Sequence, residues 1–121
     1  MTKQQKLGQK GEELALTHLQ SLGYEILETN WHSHHMEIDI VAKDGEELVI
    51  IEVKTRGSDS YEHPSEAVSN RKIRFLVNAA EAYILEKDMD VETRFDVIAI
   101  TFFGPKFELE HFKDAFYPPL N

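Results

Sequence analysis

There is no cysteine among the 121 residues. That excludes disulfide staples and thiolate metal sites, so any metal would be held by carboxylates, histidines or carbonyls, which favours hard, oxygen-loving ions. No apolar run approaches the ~20 residues needed to cross a bilayer. The N-terminal Met-Thr-Lys-Gln-Gln-Lys also lacks the apolar core of a signal peptide, so the expected address is the cytoplasm, with no membrane partner. Proline (4) and glycine (6) are too few to make a linker, and no low-complexity run divides the chain, so residues 1–121 read as a single domain. Basic residues are outnumbered 13 to 22 by acidic ones, a formal charge of −9, which argues against a protein that coats nucleic acid. Distribution matters more than the sum. Lys54, Arg56, Arg71, Lys72 and Arg74 fall in two short clusters, and Lys3, Lys6 and Lys10 crowd the N-terminus. A local basic face is therefore open, although each cation alone reads most simply as solvated surface.

From about Lys3 to Leu22, Leu7, Leu14, Ala15, His18 and Leu22 recur at helical spacing, and Gly23 suits a left-handed cap. Gly8 and Gly11 weaken the first turns by roughly 1 kcal/mol each, which predicts either fraying or a close backbone approach. Tyr24 to Glu28 reads as a short strand and the polar Asn30 to His35 as a loop. Met36 to Ala42 and Leu48 to Thr55 read as strands joined by a turn at Asp44-Gly45. Pro64 suits the start of a second helix running from Ser65 to about Glu86, with Val68, Phe75, Leu76, Ala79 and Tyr83 as its apolar stripe. Arg94 to Thr101 is apolar on both faces, as an interior strand should be, and its return through a long helix implies a parallel crossover. Phe107 to Phe112 makes an edge strand. The order α-β-β-β-α-β-β gives an α/β class with a central mixed sheet flanked by helices.

Chemistry concentrates on the second and third strands. Side chains two apart on a strand share a face, which groups Glu37 with Asp39 and Glu52 with Lys54. If Asp44-Gly45 is a two-residue loop, Lys43 opposes Glu46, Glu37 opposes Glu52, and Asp39 lies diagonal to Glu52. Like charges so placed repel unless a cation sits among them. Three carboxylates and an ammonium then converge, and Mg²⁺ (or Mn²⁺) suits one or two carboxylates plus water and phosphate, which points to phosphodiester hydrolysis with Lys54 orienting the water or offsetting charge in the transition state. A surface ion pair worth about 0–1 kcal/mol explains an isolated Glu-x-Lys equally well. Here the motif extends the apolar run Leu48 to Val53, where charges are uncommon unless paired or metal-bound. Lys72 falls in the centre of the second helix's apolar stripe, either snorkelling or reaching a phosphate, and Glu12 borders the first helix's stripe. Arg56, Arg71, Lys72 and Arg74 are the candidate nucleic-acid contacts.

Other chemistries lack support. His32, His34 and His35 do not have the helical i, i+4 geometry of a zinc hydrolase, and His18, His63 and His111 read as structural. Gly8-x-x-Gly11 precedes no Lys-Ser/Thr, so it is no phosphate loop. The aromatic residues Phe102, Phe103, Phe107, Phe112, Phe116 and Tyr117 read as mostly core, with an excess available for a dimer contact.

Taken together, Gly8-x-x-Gly11-Glu12-x-x-Ala15, Gly23-Tyr24, Asn30-Trp31, Glu37-Ile38-Asp39, Glu52-Val53-Lys54-x-Arg56, Pro64-x-Glu66-Ala67-Val68-x-x-x-Lys72 and Arg94-Phe95-Asp96-Val97 resemble the YraN family of bacterial proteins. The resemblance implies a restriction-endonuclease-like fold of the PD-(D/E)xK type, similar to archaeal Holliday junction resolvases. It also implies a divalent-metal-dependent nuclease acting on DNA, branched or recombination intermediates among the substrates, and a homodimer. Carried over by motif, Asp39 and Glu52 are the metal ligands, Lys54 the catalytic lysine, Glu12 an accessory acid beside Glu37, and Lys72 a helper. The family's arginine and glycine before Glu-Ile-Asp are replaced by His32-Ser33-His34-His35-Met36, and neutral histidine supplies no fixed charge to a phosphate. Two other functions stay open on the residues alone: a nucleic-acid-binding module without turnover, and a protein-interaction domain that has lost its metal.

Overall fold

The computed structural model describes residues 1–57 and 69–116. The expected helix start at Pro64, and His63, Val68 and Tyr117, lie outside them. The elements are α1 (Lys3–Ser21), β1 (Glu25–Ser33), β2 (Met36–Asp44), β3 (Glu47–Gly57), α2 (Asn70–Lys87), β4 (Thr93–Phe103) and β5 (Lys106–Phe112). They form a mixed five-stranded sheet in the order β1-β2-β3-β4-β5, antiparallel except for the β3–β4 pair, which α2 connects. The α/β class and the element order are those the sequence predicts.

α1 starts firmly rather than fraying. The Thr2 hydroxyl accepts the Gln5 N–H at 3.1 Å and the Gln5 side chain accepts the Thr2 N–H at 2.8 Å, a reciprocal cap. At its other end Gly23 takes φ +87°, as a left-handed cap requires. The buried positions are Gly11, Ala15 and Leu19, not the expected His18 and Leu22; Leu22 is the exposed C-cap. Gly11 is buried against the sheet because a Cβ there would collide with Thr55 Oγ1. α2 begins at Asn70. Ser69 is extended (φ −75°, ψ 163°) and its hydroxyl accepts the Lys72 N–H at 3.2 Å, so no helix runs unbroken from Ser65 into this segment, and the serine cap sets the boundary.

Two cores lie on opposite faces of the sheet. Ala15 and Leu19 of α1 pack on Ile40, Ala42, Val49, Ile51, Ile98 and Ile100. Leu76, Ala79, Ala80 and Tyr83 of α2 pack on Trp31, Ile38, Val41, Leu48, Ile50 and Phe95. Ile38 and Ile40 are two apart yet belong to different faces, so strict alternation breaks at Asp39. Opposite it, Asn30 takes φ +51°, and the β1–β2 ladder steps from Thr29↔Ile40 to Trp31↔Ile38 across this pair. The expected Asn30–His35 loop is therefore strand as far as Ser33. Burying Trp31 against Tyr83, with ring centroids 5.3 Å apart, holds the polar segment in the sheet.

The β2–β3 turn is displaced by one residue from the expected position. Asp44 pairs with Glu47, leaving Gly45-Glu46 as the loop, because only Gly45 takes positive φ (+64°) there and a glycine at the first loop position suits a two-residue hairpin. The register moves by two relative to the expectation, so Glu37 does not oppose Glu52.

Candidate active site

The β2–β3 ladder ends at Ile40↔Ile51. One step further, the Asp39 carboxylate takes over from the backbone: its Oδ2 accepts the Val53 N–H at 2.9 Å. This seats Asp39 where the two strands part, next to Glu52. Glu52 is one of two buried charged residues among those described, 7% exposed. Its carboxyl is pushed up to about 7, first by burial, then by the neighbouring Asp39 charge, with Lys72 opposing and a hydrogen bond shared with Asp39 adding to the rise. The Lys54 ammonium opposes it more weakly. Two carboxyls close enough to share a proton thus stand at the end of a ladder with only part of their charge compensated.

Helix α2 contributes Lys72, whose Nζ lies 3.4 Å from Glu52 Oε2 and 5.0 Å from the Phe75 ring centroid. The half-exposed Lys72 reaches the site along its stem, so the predicted lysine faces the carboxylate. Arg71 and Arg74 are exposed on the same helix. A shallow cavity of about 310 Å³ is lined by Ser69, Arg71, Lys72 and Phe75.

On the α1 side, a cavity of about 270 Å³ is lined by Glu12, Asn30, Glu37, Asp39 and Thr55, together with Gly8 and Val53. Glu12 is raised from its ordinary value by burial and then by the charges of Asp39 and Glu37, against a hydrogen bond with Asn30. Its Oε1 is buried without a hydrogen-bond partner, an oxygen in need of a cation or a donor. Glu37 joins this α1-side group rather than the Glu52 side. Asn30 is a site residue that sequence reasoning misses; an Asn where a strand flips face, able to adopt positive φ, is the available signal. Among the described residues, no group of three or more His, Asp or Glu side chains is arranged to hold a metal by itself. Any ion would take Asp39 and Glu52 plus water or substrate oxygens, which is how Mg²⁺ is usually held.

The histidines serve elsewhere. His111 Nε2 donates to Asp96 Oδ2 at 2.8 Å and its Nδ1 lies 3.1 Å from His18 Nε2. Asp96, fully buried, also accepts from Arg94 Nε at 2.9 Å, from the Tyr24 hydroxyl at 3.2 Å and from the Asp114 N–H at 3.1 Å. This network beneath the C-terminal half of α1 is structural. Among the described residues, no helix is long and apolar enough to cross a membrane.

Residues 11–100 match the Uncharacterised protein family UPF0102. Over 117 residues the chain is 46% identical to a UPF0102 protein of Flavobacterium psychrophilum, covering 97% of this chain and 98% of that one. It is 42% identical over 119 residues to a counterpart in Parabacteroides distasonis, with 98% of each chain covered. A Bacteroides thetaiotaomicron relative is 44% identical over 120 residues, with 99% of each covered.

Proposed function

The chain belongs to the UPF0102 family, the same family as YraN, and we propose that it is a divalent-metal-dependent nuclease that hydrolyses phosphodiester bonds in DNA. The observation that carries this reading is the Asp39–Glu52 carboxyl pair at the parting of β2 and β3, Glu52 buried and Asp39 half-buried, with Lys72 and Lys54 close enough to oppose its charge. The donor set fits Mg²⁺ or Mn²⁺: hard oxygens only, two of them adjacent, with the unpartnered Glu12 Oε1 nearby. When bound, such an ion supplies Lewis-acid activation of a phosphoryl oxygen and of water. The chain's own residues do the rest. The Val53 N–H holds the Asp39 carboxylate through Oδ2, leaving Oδ1 outside that bond. Lys54 offsets negative charge building on the phosphoryl group. Lys72, held by Glu52, is placed to do the same from α2. Arg56, Arg71 and Arg74 hold flanking phosphates. A homodimer belongs to the same reading: Phe103 at the end of β4 and Phe107 in the edge strand β5, 42% and 44% exposed, offer an apolar contact to a second copy.

Incubation of the purified chain with single-stranded, duplex, flap and four-way-junction DNA in Mg²⁺ or Mn²⁺ tests the proposal. Cleavage is expected in the wild type and its loss in Asp39→Asn and Glu52→Gln. Mn²⁺ should also raise the wild-type melting temperature but not that of the variants. Cleavage unchanged in both variants, or absent from every substrate, would reject the nuclease assignment.

A further inference from the structure

We propose that the N-terminal half of α1 and the end of β3 enclose one groove for a single nucleic-acid strand, in which Lys3 and Arg56 hold phosphates and Gly8 keeps the passage open. The inference rests on the nuclease reading and adds the path the substrate takes. The acidic cavity described above adjoins a second of about 360 Å³, lined by Lys3, Gln4, Leu7, Arg56 and Gly57, and the two share Gly8 and Thr55. One end of this trough carries Glu12, Glu37 and Asp39; at the other, the described lining residues include the two cations Lys3 and Arg56 and no acid. A polyanion is drawn to the basic end and can continue into the acidic end only where a cation sits between the carboxylates and its phosphates. Cavities of a few hundred Å³ between a helix and a strand admit an extended strand, whereas a duplex would have to rest outside them.

Two features of α1 suit such a ligand and are not required by the fold. Lys3 stands in the first turn, which holds no acidic residue, and a cation there opposes the helix dipole. Gly8 costs the helix about 1 kcal/mol relative to alanine, yet unlike Gly11 a Cβ on it would meet nothing within 4 Å. Packing does not require a glycine at this position; an unobstructed groove does. Lys10 provides an internal control. It carries the same charge on the same helix, but its Nζ lies 5.5 Å from the Phe102 ring centroid, away from the trough.

The test titrates fluorescein-labelled oligothymidylate with the full chain, reading anisotropy in Ca²⁺ over a range of salt, and follows cleavage of the same oligonucleotide in Mn²⁺. Lys3→Gln and Arg56→Gln should each weaken binding and reduce the slope of log affinity against log salt by about 0.7, the single-strand value per phosphate contact. Lys10→Gln should do neither. Gly8→Gln should melt no lower than wild type yet bind several-fold more weakly. Equal losses in Lys3→Gln and Lys10→Gln, wild-type binding by Gly8→Gln, or no binding by the wild type would each overturn the groove. If the expected binding pattern appears without cleavage, the groove stands and the nuclease reading falls. If cleavage appears while every groove variant binds like the wild type, the nuclease reading stands and the groove falls.

Discussion

Asp96 shows how one buried charge can be made favourable. Burial alone would raise its pKa. Hydrogen bonds from His111 and Arg94 and from the Asp114 N–H outweigh that and hold it at about 2, below the ordinary 3.8. A carboxyl lowered on folding contributes stability that is fully present above its unfolded value and is lost as pH falls through its folded value. Between about pH 5 and pH 2 the wild type should therefore lose ~2 kcal/mol attributable to this group, at 1.36 kcal/mol per unit. Urea unfolding at stepped pH would measure it, and Asp96→Asn should flatten that part of the profile. Asp96→Ala should also destabilise at neutral pH, by about 1–3 kcal/mol, because it leaves the His111 ring and the Tyr24 hydroxyl without their buried acceptor, while Arg94 keeps its pairs with Asp44 and Glu47. Glu52 is the contrasting case. Its raised pKa marks an environment in which ionisation is unfavourable, as expected of a group placed for a ligand rather than for the fold.

Between elements, α1 approaches β3 closely at Gly11 and Thr55. Alanine is a better helix former than glycine by about 1 kcal/mol, but at position 11 its methyl would overlap Thr55 Oγ1, and overpacking typically costs about 1–3 kcal/mol. Gly11→Ala should thus lower stability in the wild type and raise it in a Thr55→Ala background. Denaturant midpoints for the four proteins of that double-mutant cycle would show the reversal of sign; a destabilisation of equal size in both backgrounds would mean that Thr55 is not the obstacle. The strands beneath this junction differ in how legible they are from sequence. β3, β4 and β5 announce themselves by β-branched and aromatic runs, and the two faces of β4 by being apolar on both. β1 reads as a shorter strand than it is because its second half is polar apart from Trp31, whose burial depends on α2, a partner distant in sequence. The start of α2 is ambiguous because Pro64 and Ser69 are both good starting residues, and composition does not choose between them. Asp39 and Glu52 can be picked out by residue type and motif, but their meeting depends on a turn shifted by one residue and on the face change at Asn30 and Asp39, which an assumption of strict alternation hides.

At the scale of the whole molecule, two helices cover opposite faces of one sheet and never share a core, so whether the chain unfolds as a unit depends on the strands between them. β2 and β3 supply both cores: Ile40, Ala42, Val49 and Ile51 on the α1 side, Ile38, Val41, Leu48 and Ile50 on the α2 side. Losing either helix would expose one face of the same strands to water, at roughly 25 cal/mol per Å² of apolar surface, and neither half retains a complete core. Unfolding should be all-or-none. Trp31, the only tryptophan, is buried on the α2 side against Tyr83, with its Nε1 donating to Glu86 at 3.2 Å, so its fluorescence reports one face. Asp96→Ala removes a network on the other. If the sheet couples the faces, that substitution shifts the Trp31 fluorescence transition and the far-ultraviolet circular-dichroism transition in urea by the same amount, and the two stay superimposed. A Trp31 transition that keeps its wild-type midpoint while the dichroism transition moves would mean that the α1 and α2 layers melt separately.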